Sequence, residues 1–366
     1  MAMKSKDLAA LLEVSTATMS LVLNNKPGIS DELRNTLLSK IRELGYGYMI
    51  KGENHDRENE QQKKLAYVIY SGEEEREEES SFYPPILEGV EREARGQGYQ
   101  LLVIHKDLKK KEASLKMLCE ECEGIIVQAP RLSEKELEEL EETGLAFVTV
   151  ACTLPGGQIT SVCVNNEQGM YKAVRYLRER GHEKIGYIRT DSRQCAAAER
   201  HKYFKLALME EGLAVVDEMD ILVPGNGGAS GSVREFLENY WIVQKKEIPT
   251  ALILENDILG PAVYRALHSA GKKIPKDVSV IGFDGRAVCS MIEPTLTTLR
   301  VPRRFFGRAL MMLLAQKMQL HANGMEKVAV KVEVDVELVE MESVADGPLK
   351  VHNLEMENGY PDRIKG

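Results

Sequence analysis

Val14-Ser-Thr-Ala-Thr-Met-Ser-Leu-Val-Leu-Asn24 is the stretch on which the reading of this chain turns. Ser15 is a good N-cap, because its hydroxyl can accept one of the unpaired amides of a first helical turn. Met19, Val22 and Leu23 recur at helical spacing and predict a buried face. Thr16, Ala17, Ser20 and Leu21 are left on the opposite, solvent-facing side. Upstream, Leu8, Leu11 and Leu12 predict the single apolar face of an earlier helix, with Glu13-Val14 as the turn. Downstream, Ser30-Asp31-Glu32 places a cap and two acids where a helix dipole favours them. A third helix follows, with Leu33, Leu37, Ile41 and Leu44 inward and Gly45 at its end.

Beyond this three-helix unit (1–50) the pattern changes. Residues 51–64 contain no large apolar side chain and read as a linker. From Leu65 onward apolar runs alternate with helical patterns. The runs are Leu65–Tyr70, Leu101–Ile104, Gly124–Val127, Ala146–Val150, Ile185–Ile188, Ile221–Val223, Ala251–Leu254 and Val278–Phe283. Repeated strand–helix units with wholly apolar strands predict an α/β fold of parallel, doubly wound sheets. The strands are too numerous for one small sheet, so two lobes are expected. Ligands in such sheets bind at the carboxyl ends of the strands. Asn256 and Asp284 stand there, each directly after an apolar run. The acidic run Glu73–Glu79 reads as a solvated loop, or as a lip that repels anions from that crevice. From 343 to 366 the pattern fades into a tail.

The bulk numbers fit this division. With 366 residues, 43 % hydrophobic and 29 % charged, the chain has room for two or three structural units. No apolar run is long enough to span a membrane. The opening Met-Ala-Met-Lys lacks an apolar signal core, so a cytoplasmic location is expected. Net charge is −9, but residues 1–50 balance six Lys/Arg against five Asp/Glu. Charge alone therefore does not argue for nucleic acid, and the motif must. The six cysteines are scattered and read as small buried hydrophobes; Cys119 and Cys122 have no second pair to complete a zinc site. No metal or other cofactor is expected. A catalytic role is not expected either: there is no GxGxxG after the first strand, no P-loop, no GxSxG and no HExxH.

The 14–24 stretch, then Gly28-Ile-Ser30 and Glu43-Leu-Gly-Tyr46, closely resembles the N-terminal reader of the LacI/GalR family. Later segments agree in order: Gly181-His182, Ile185-Gly-Tyr-Ile188, Arg200, Asn256-Asp257, Val278–Asp284, Pro294–Thr298 and Gly307. The resemblance implies a homodimeric, sequence-specific transcription regulator, most often a repressor. Its helix-turn-helix domain would precede a two-lobed domain like that of periplasmic sugar-binding proteins. Operator DNA and a small-molecule effector are the implied partners. The domain would span 65–342, with lobe 1 at about 65–164 and 298–325, and lobe 2 at about 166–296 and 327–342. The chain would cross between lobes near 165, 297 and 326. Thr16 and Ala17 head the recognition helix, Ser20 and Leu21 follow on its outer face, and Ser15 suits a phosphate. Lys6 and Asn24 complete the DNA-facing set. In the cleft the resemblance implies Phe82 and Tyr83 against a ligand ring, Arg200 as a fork of donors, Asn256 and Asp284 on hydroxyls, and Gln168 and Arg303 beside them. A carboxylate, amide and aromatic set favours a neutral sugar.

Two departures stand out. Leu21 occupies a position that is Arg in most members. The stretch after Tyr46 lacks the family's hinge helix with its minor-groove wedge, unless Met49 or Ile50 substitutes. A sugar-binding module that has lost operator binding is therefore the alternative, and DNA binding without an effector response a third reading.

Overall fold

Three helices, α1 (Ser5–Leu11), α2 (Thr16–Leu23) and α3 (Asp31–Glu43), carry the first of two units, Met1–Lys63. The computed structural model describes residues 5–43, 46, 49–50, 63–71, 81–107, 114–129, 132–151, 159–191, 194–224 and 230–348. Glu13, at φ 54°, turns the chain from α1 into α2. The core of the unit is Leu8, Ala9, Met19, Val22, Leu23, Leu37, Ile41 and Ile50. Two expected core residues are outside it. Leu11 is 53 % exposed. At about 100° per residue, Leu8, Ala9 and Leu12 share an arc that Leu11 leaves. Leu33 is 42 % exposed. At its end of α3 the contact to α2 is polar instead: Arg34 donates to the Leu21 carbonyl at 3.2 Å and to the Lys26 carbonyl. Met49 and Ile50 pack onto the unit's own core, so neither is presented as a wedge. Leu44, Gly45 and the rest of the expected hinge and linker, 47–48 and 51–62, lie outside the described residues. So do the acidic run 73–79 and the tail from 349.

The second unit, Lys64–Gly366, holds two sheets. The first contains β1 (Lys64–Ser71), β2 (Gln100–Asp107), β3 (Gly124–Gln128), β4 (Ala146–Val150), β5 (Ser161–Val164) and β11 (Lys331–Val334), in the order β11-β5-β4-β3-β1-β2, all parallel. The second contains β6 (Ile185–Thr190), β7 (Asp220–Val223), β8 (Ala251–Leu254), β9 (Ser279–Asp284), β10 (Thr297–Arg300) and β12 (Glu337–Val339). Its order is β12-β10-β9-β8-β6-β7, and only β12 runs antiparallel. The helices over these sheets are α4 (Pro84–Gly96), α5 (Leu118–Glu121), α6 (Glu134–Glu141), α7 (Asn166–Glu179), α8 (Cys195–Glu210), α9 (Ser230–Glu238), α10 (Gly260–Ser269) and α11 (Arg303–Ala322). The central strands β3, β8 and β9 are buried along their whole length, as parallel strands covered on both faces must be.

Lobe connections differ from the expectation in two places. The first crossing does lie between β5 and α7. The second lies between β10 and α11, not near 297, because Thr297–Arg300 pairs with β9 of the second sheet. The third lies between β11 and β12, not near 326, because Lys331–Val334 pairs with β5 of the first. Helix α11 packs on α4 and under β4 of lobe 1. The two helices meet backbone to backbone: a Cβ on Gly307 would fall 2.3 Å from the Ile86 carbonyl oxygen, and one on Gly89 would fall 2.5 Å from that of Arg304.

The expected tail from 343 is also corrected. Ser343 is fully buried; its Oγ donates to the Val280 carbonyl (2.6 Å) and accepts the Thr297 amide (2.8 Å). The Ala345 amide donates to Ser279 Oγ at 3.0 Å, and the Gly347 amide to the Arg180 carbonyl at 2.6 Å. Residues 343–348 are a strap bonded through backbone and small side chains, which leaves no hydrophobic period to read. Among the described residues, Cys122, Cys163 and Cys289 are buried and no group of His, Cys, Asp or Glu could hold a metal ion. Burial pushes the Cys163 thiol up to about 11, as expected of an inert core cysteine.

Candidate functional site

The outward face of α2 is short and polar. Thr16, Ala17 and Ser20 are exposed, as is Lys6 on α1. Ser15 caps the helix, its Oγ accepting the Thr18 amide at 3.0 Å and sharing a hydrogen bond with Thr18 Oγ1 at 2.8 Å. The amides of the first turn are thus presented at an exposed helix N-terminus, where a phosphate is favoured. One of the predicted contacts is differently placed. Leu21 is not solvent-facing but half-buried, its Cδ1 3.2 Å from where a side chain at Gly28 would begin. Gly28 at φ 128° keeps that space open. Asn24 closes the C-terminus of α2, its Nδ2 donating to the Ser20 carbonyl at 2.9 Å and reaching Ser20 Oγ at 3.4 Å.

In the second unit, the strand ends bring most of the predicted cleft residues together. Asp284 ends β9 at φ 104°, a region that costs a non-glycine residue about 1–3 kcal/mol. The turn continues through Gly285 at φ 70°, and the Gly285 amide meets Thr298 Oγ1 at 3.3 Å. The buried Asp284 carboxylate faces Arg286, whose Nε donates to it at 2.8 Å. Arg286 also donates from Nη1 to Ser81 Oγ, across in lobe 1, at 3.2 Å. From the other side Arg303, the first residue of α11, donates to the Ser81 carbonyl and the Gly285 carbonyl, both at 2.9 Å. The two guanidinium carbons stand 5.6 and 5.9 Å from the centroid of the Phe82 ring, within cation–π range. Phe82 is buried and meets Tyr83 edge-on, centroids 5.1 Å apart.

Behind this pair lies a second layer. Asp257 is fully buried; Oδ1 accepts the Thr298 hydroxyl at 2.7 Å and Oδ2 the Arg286 amide at 2.7 Å. Burial, and then the Asp284 charge beside it, pushes its carboxyl up to about 7. Arg200 is 6 % exposed, with its guanidinium 4.6 Å from the Phe283 ring centroid and Nη1 3.4 Å from Asn166 Oδ1. Its Nε and the Tyr187 hydroxyl are buried without a hydrogen-bond partner. Glu255 accepts the Thr190 hydroxyl and amide at 2.9 and 3.2 Å, and burial raises its pKa.

Two predicted ligand contacts have structural employment. Gln168 clips α7 to the last crossing: its Nε2 donates to the Val336 carbonyl (3.3 Å) and its Oε1 accepts the Val336 amide (3.1 Å). Asn256 caps the turn after β8, its Oδ1 accepting the Ile258 amide at 3.0 Å. Sequence reasoning missed Ser81, Glu255, Asp257 and Arg286. The run Glu255-Asn256-Asp257 after a wholly apolar strand was a signal for the first two acids. Nothing local marked Ser81, whose role depends on residues more than 200 positions away.

Asp257 gives a pH prediction. Its folded pKa lies above its ordinary value of 3.8, so the folded state holds the extra proton. Its stabilising contribution is fully present below pH 3.8, declines as pH rises, and is gone above about 7. Asp257→Asn cannot ionise, so thermal melts between pH 5 and 8 are expected to show a smaller fall in Tm than the native chain. An unchanged slope would place the titration elsewhere.

Two family models match the chain in order. Bacterial regulatory proteins, lacI family, matches residues 5–47, and Periplasmic binding protein-like domain matches residues 174–344. HTH-type transcriptional repressor PurR of Klebsiella pneumoniae subsp. pneumoniae is 29 % identical over 348 residues, 94 % of this chain and 97 % of that protein. The PurR of Erwinia tasmaniensis is 28 % identical over 350 residues, 94 % and 98 % of the two chains. The lac repressor dimer bound to operator and the anti-inducer ONPF shares the fold at TM-score 0.64 and 20 % identity, over 94 % of this chain and all of that one. A transcriptional regulator CelR–cellobiose complex does so at TM-score 0.63 and 21 % identity, over 93 % of this chain and all of that one. From its helix-turn-helix to its paired parallel sheets, the chain carries the N-terminal domain of bacterial regulatory proteins of the lacI family followed by a periplasmic binding protein-like domain.

Proposed function

We propose that this chain is a cytoplasmic transcription repressor whose grip on operator DNA is set by a small hydroxylated effector held between the two lobes. The observation that carries the reading is the double latch across the cleft. Arg303 of lobe 1 holds Gly285 of lobe 2, and Arg286 of lobe 2 holds Ser81 of lobe 1. A ligand inserted between these partners replaces or reinforces the latch, and so changes the relative energies of open and closed lobes. A ligand moves a conformational equilibrium only through such differential contacts. Asp284, Arg200 and the Phe82–Tyr83 pair line the effector's place. The relatives named as repressors, and a structural neighbour described with cellobiose, support a repressor with a sugar-class ligand.

On the DNA side, Thr16, Ala17 and Ser20 enter the major groove, while Lys6 and the first-turn amides of α2 hold phosphates. A homodimer places two such helices over a pseudo-palindrome. With Leu21 packed against Gly28, base reading falls to the first two turns of α2. Footprinting the full chain on DNA from upstream of its own gene tests this. A protected, two-fold related pair of half-sites is expected. Uniform, salt-sensitive coverage of any duplex would show charge attraction without reading.

A further inference from the structure

We infer that the effector carries an anionic group, a carboxylate or a phosphate on a hydroxylated carrier, received by Arg303 with Arg200 and Arg286 around it. This rests on the effector-cleft reading above and names the ligand class of that site. Among the described residues, Arg303 makes no salt bridge; its bonds go to two neutral backbone carbonyls, of Ser81 and Gly285. A guanidinium has five donors in a fixed fork, so these two bonds leave a fork edge for an incoming pair of oxygens. Arg200 likewise has no salt bridge among the described residues. It lies buried against Phe283, and its Nε points at no acceptor.

A cation drawn out of water without a paired anion is costly; Arg200 is buried and Arg303 half-buried, and neither makes an ion pair among the described residues. The nearby acids do not supply one. Asp284 is committed to Arg286 at 2.8 Å. Asp257 is enclosed by the Arg286 amide and the Thr298 hydroxyl. Glu255 is held by the Thr190 hydroxyl and amide at 2.9 and 3.2 Å; burial raises its pKa, and the Arg200 charge nearby works against that. Of the three acids here, Asp284 pairs with Arg286 and the other two are hydrogen-bonded to hydroxyls and amides, so Arg303 and Arg200 are left without a carboxylate in ion-pair contact among the described residues. The sequence-based preference for a neutral sugar gave weight to Asp284 and none to Arg286, which neutralises it. An anion bridging Arg303 of lobe 1 and Arg200 of lobe 2 would pull both lobes onto itself. Planar, forked recognition of carboxylate or phosphate oxygens is the task for which arginine is suited and lysine is not.

The acidic run Glu73–Glu79 carries the opposite expectation, that anions are repelled, and the experiment decides between them. Calorimetric titration of the full chain at fixed ionic strength would use glucose, gluconate, glucose 6-phosphate and inorganic phosphate. The same ligands would be titrated into Arg303→Gln and Arg200→Gln, both checked for a native melting profile. The expected result is that at least one anionic ligand binds, that glucose binds at least about 10-fold more weakly, and that each variant loses about 10- to 100-fold for the anion, the range of a charge-assisted hydrogen bond. Gluconate without glucose 6-phosphate identifies a carboxylate; the reverse, or phosphate alone, identifies a phosphoryl group. Glucose binding that both variants leave unchanged overturns the anion inference while the effector cleft stands. Failure of every ligand to bind overturns both.

Discussion

Ala17→Glu is expected to lower operator affinity by at least about 100-fold. Ala17 is exposed in the first turn of α2, at the helix end proposed above to enter the major groove. A carboxylate there meets the phosphate-lined groove and the base edges with the wrong sign. Like-charge juxtaposition in an interface costs several kcal/mol, and about 2.8 kcal/mol is a factor of 100. The same change should not harm folding, because an acid in a first turn interacts favourably with the helix dipole. Fluorescence anisotropy with operator DNA reads the loss, and a thermal melt of the variant reads the control. Unchanged affinity would show that the exposed face of α2 does not read DNA.

Gly307→Val is expected to unfold lobe 1 or to lower its Tm by about 5 °C or more. A Cβ at this position would meet the Ile86 carbonyl oxygen at 2.3 Å and the Val90 amide nitrogen at 2.7 Å. Both are backbone atoms of α4, so no side-chain rotation relieves the clash. Overpacking of this kind costs about 1–3 kcal/mol or more, and here α11 must move bodily away from α4. For a unit of this size each kcal/mol shifts Tm by roughly 2–4 °C. Because α11 begins with Arg303, effector binding is expected to weaken alongside. A variant with native Tm and native ligand affinity would refute the close crossing.

The residues that made the fold legible were those with a period. Met19, Val22 and Leu23 gave α2 its inner face. The wholly apolar runs gave β3, β8 and β9. What stayed illegible was set by distant partners. Strands β5, β10, β11 and β12 are three or four residues long, and β10 to β12 carry Thr, Lys and Glu. Too short to show a pattern, they are defined by whom they pair with, and so the second and third lobe crossings were misplaced. Leu21 was assigned to solvent because a helix wheel cannot see Gly28 folding back against it.

The cleft divides in the same way. Asp284 was accessible from its strand-end position, and Arg200 from the family resemblance. The structural bond of Gln168 was not legible because its partner, Val336, is 168 residues away. Arg286 was overlooked because one arginine in a loop has no signature. Its meaning appears only when Ser81, Phe82 and Asp284 surround it.

On the proposed function, one chain reads a DNA sequence and lets a cleft ligand control the reading. The direct test is anisotropy of the full chain at fixed salt on its own upstream half-site pair and on a scrambled duplex, each titrated with the ligand that calorimetry identifies. A preference for the native site of at least about 1,000-fold and a ligand-induced shift of about 5- to 150-fold are expected. Equal affinity for both duplexes, or an operator affinity indifferent to a ligand that demonstrably occupies the cleft, would contradict the proposal.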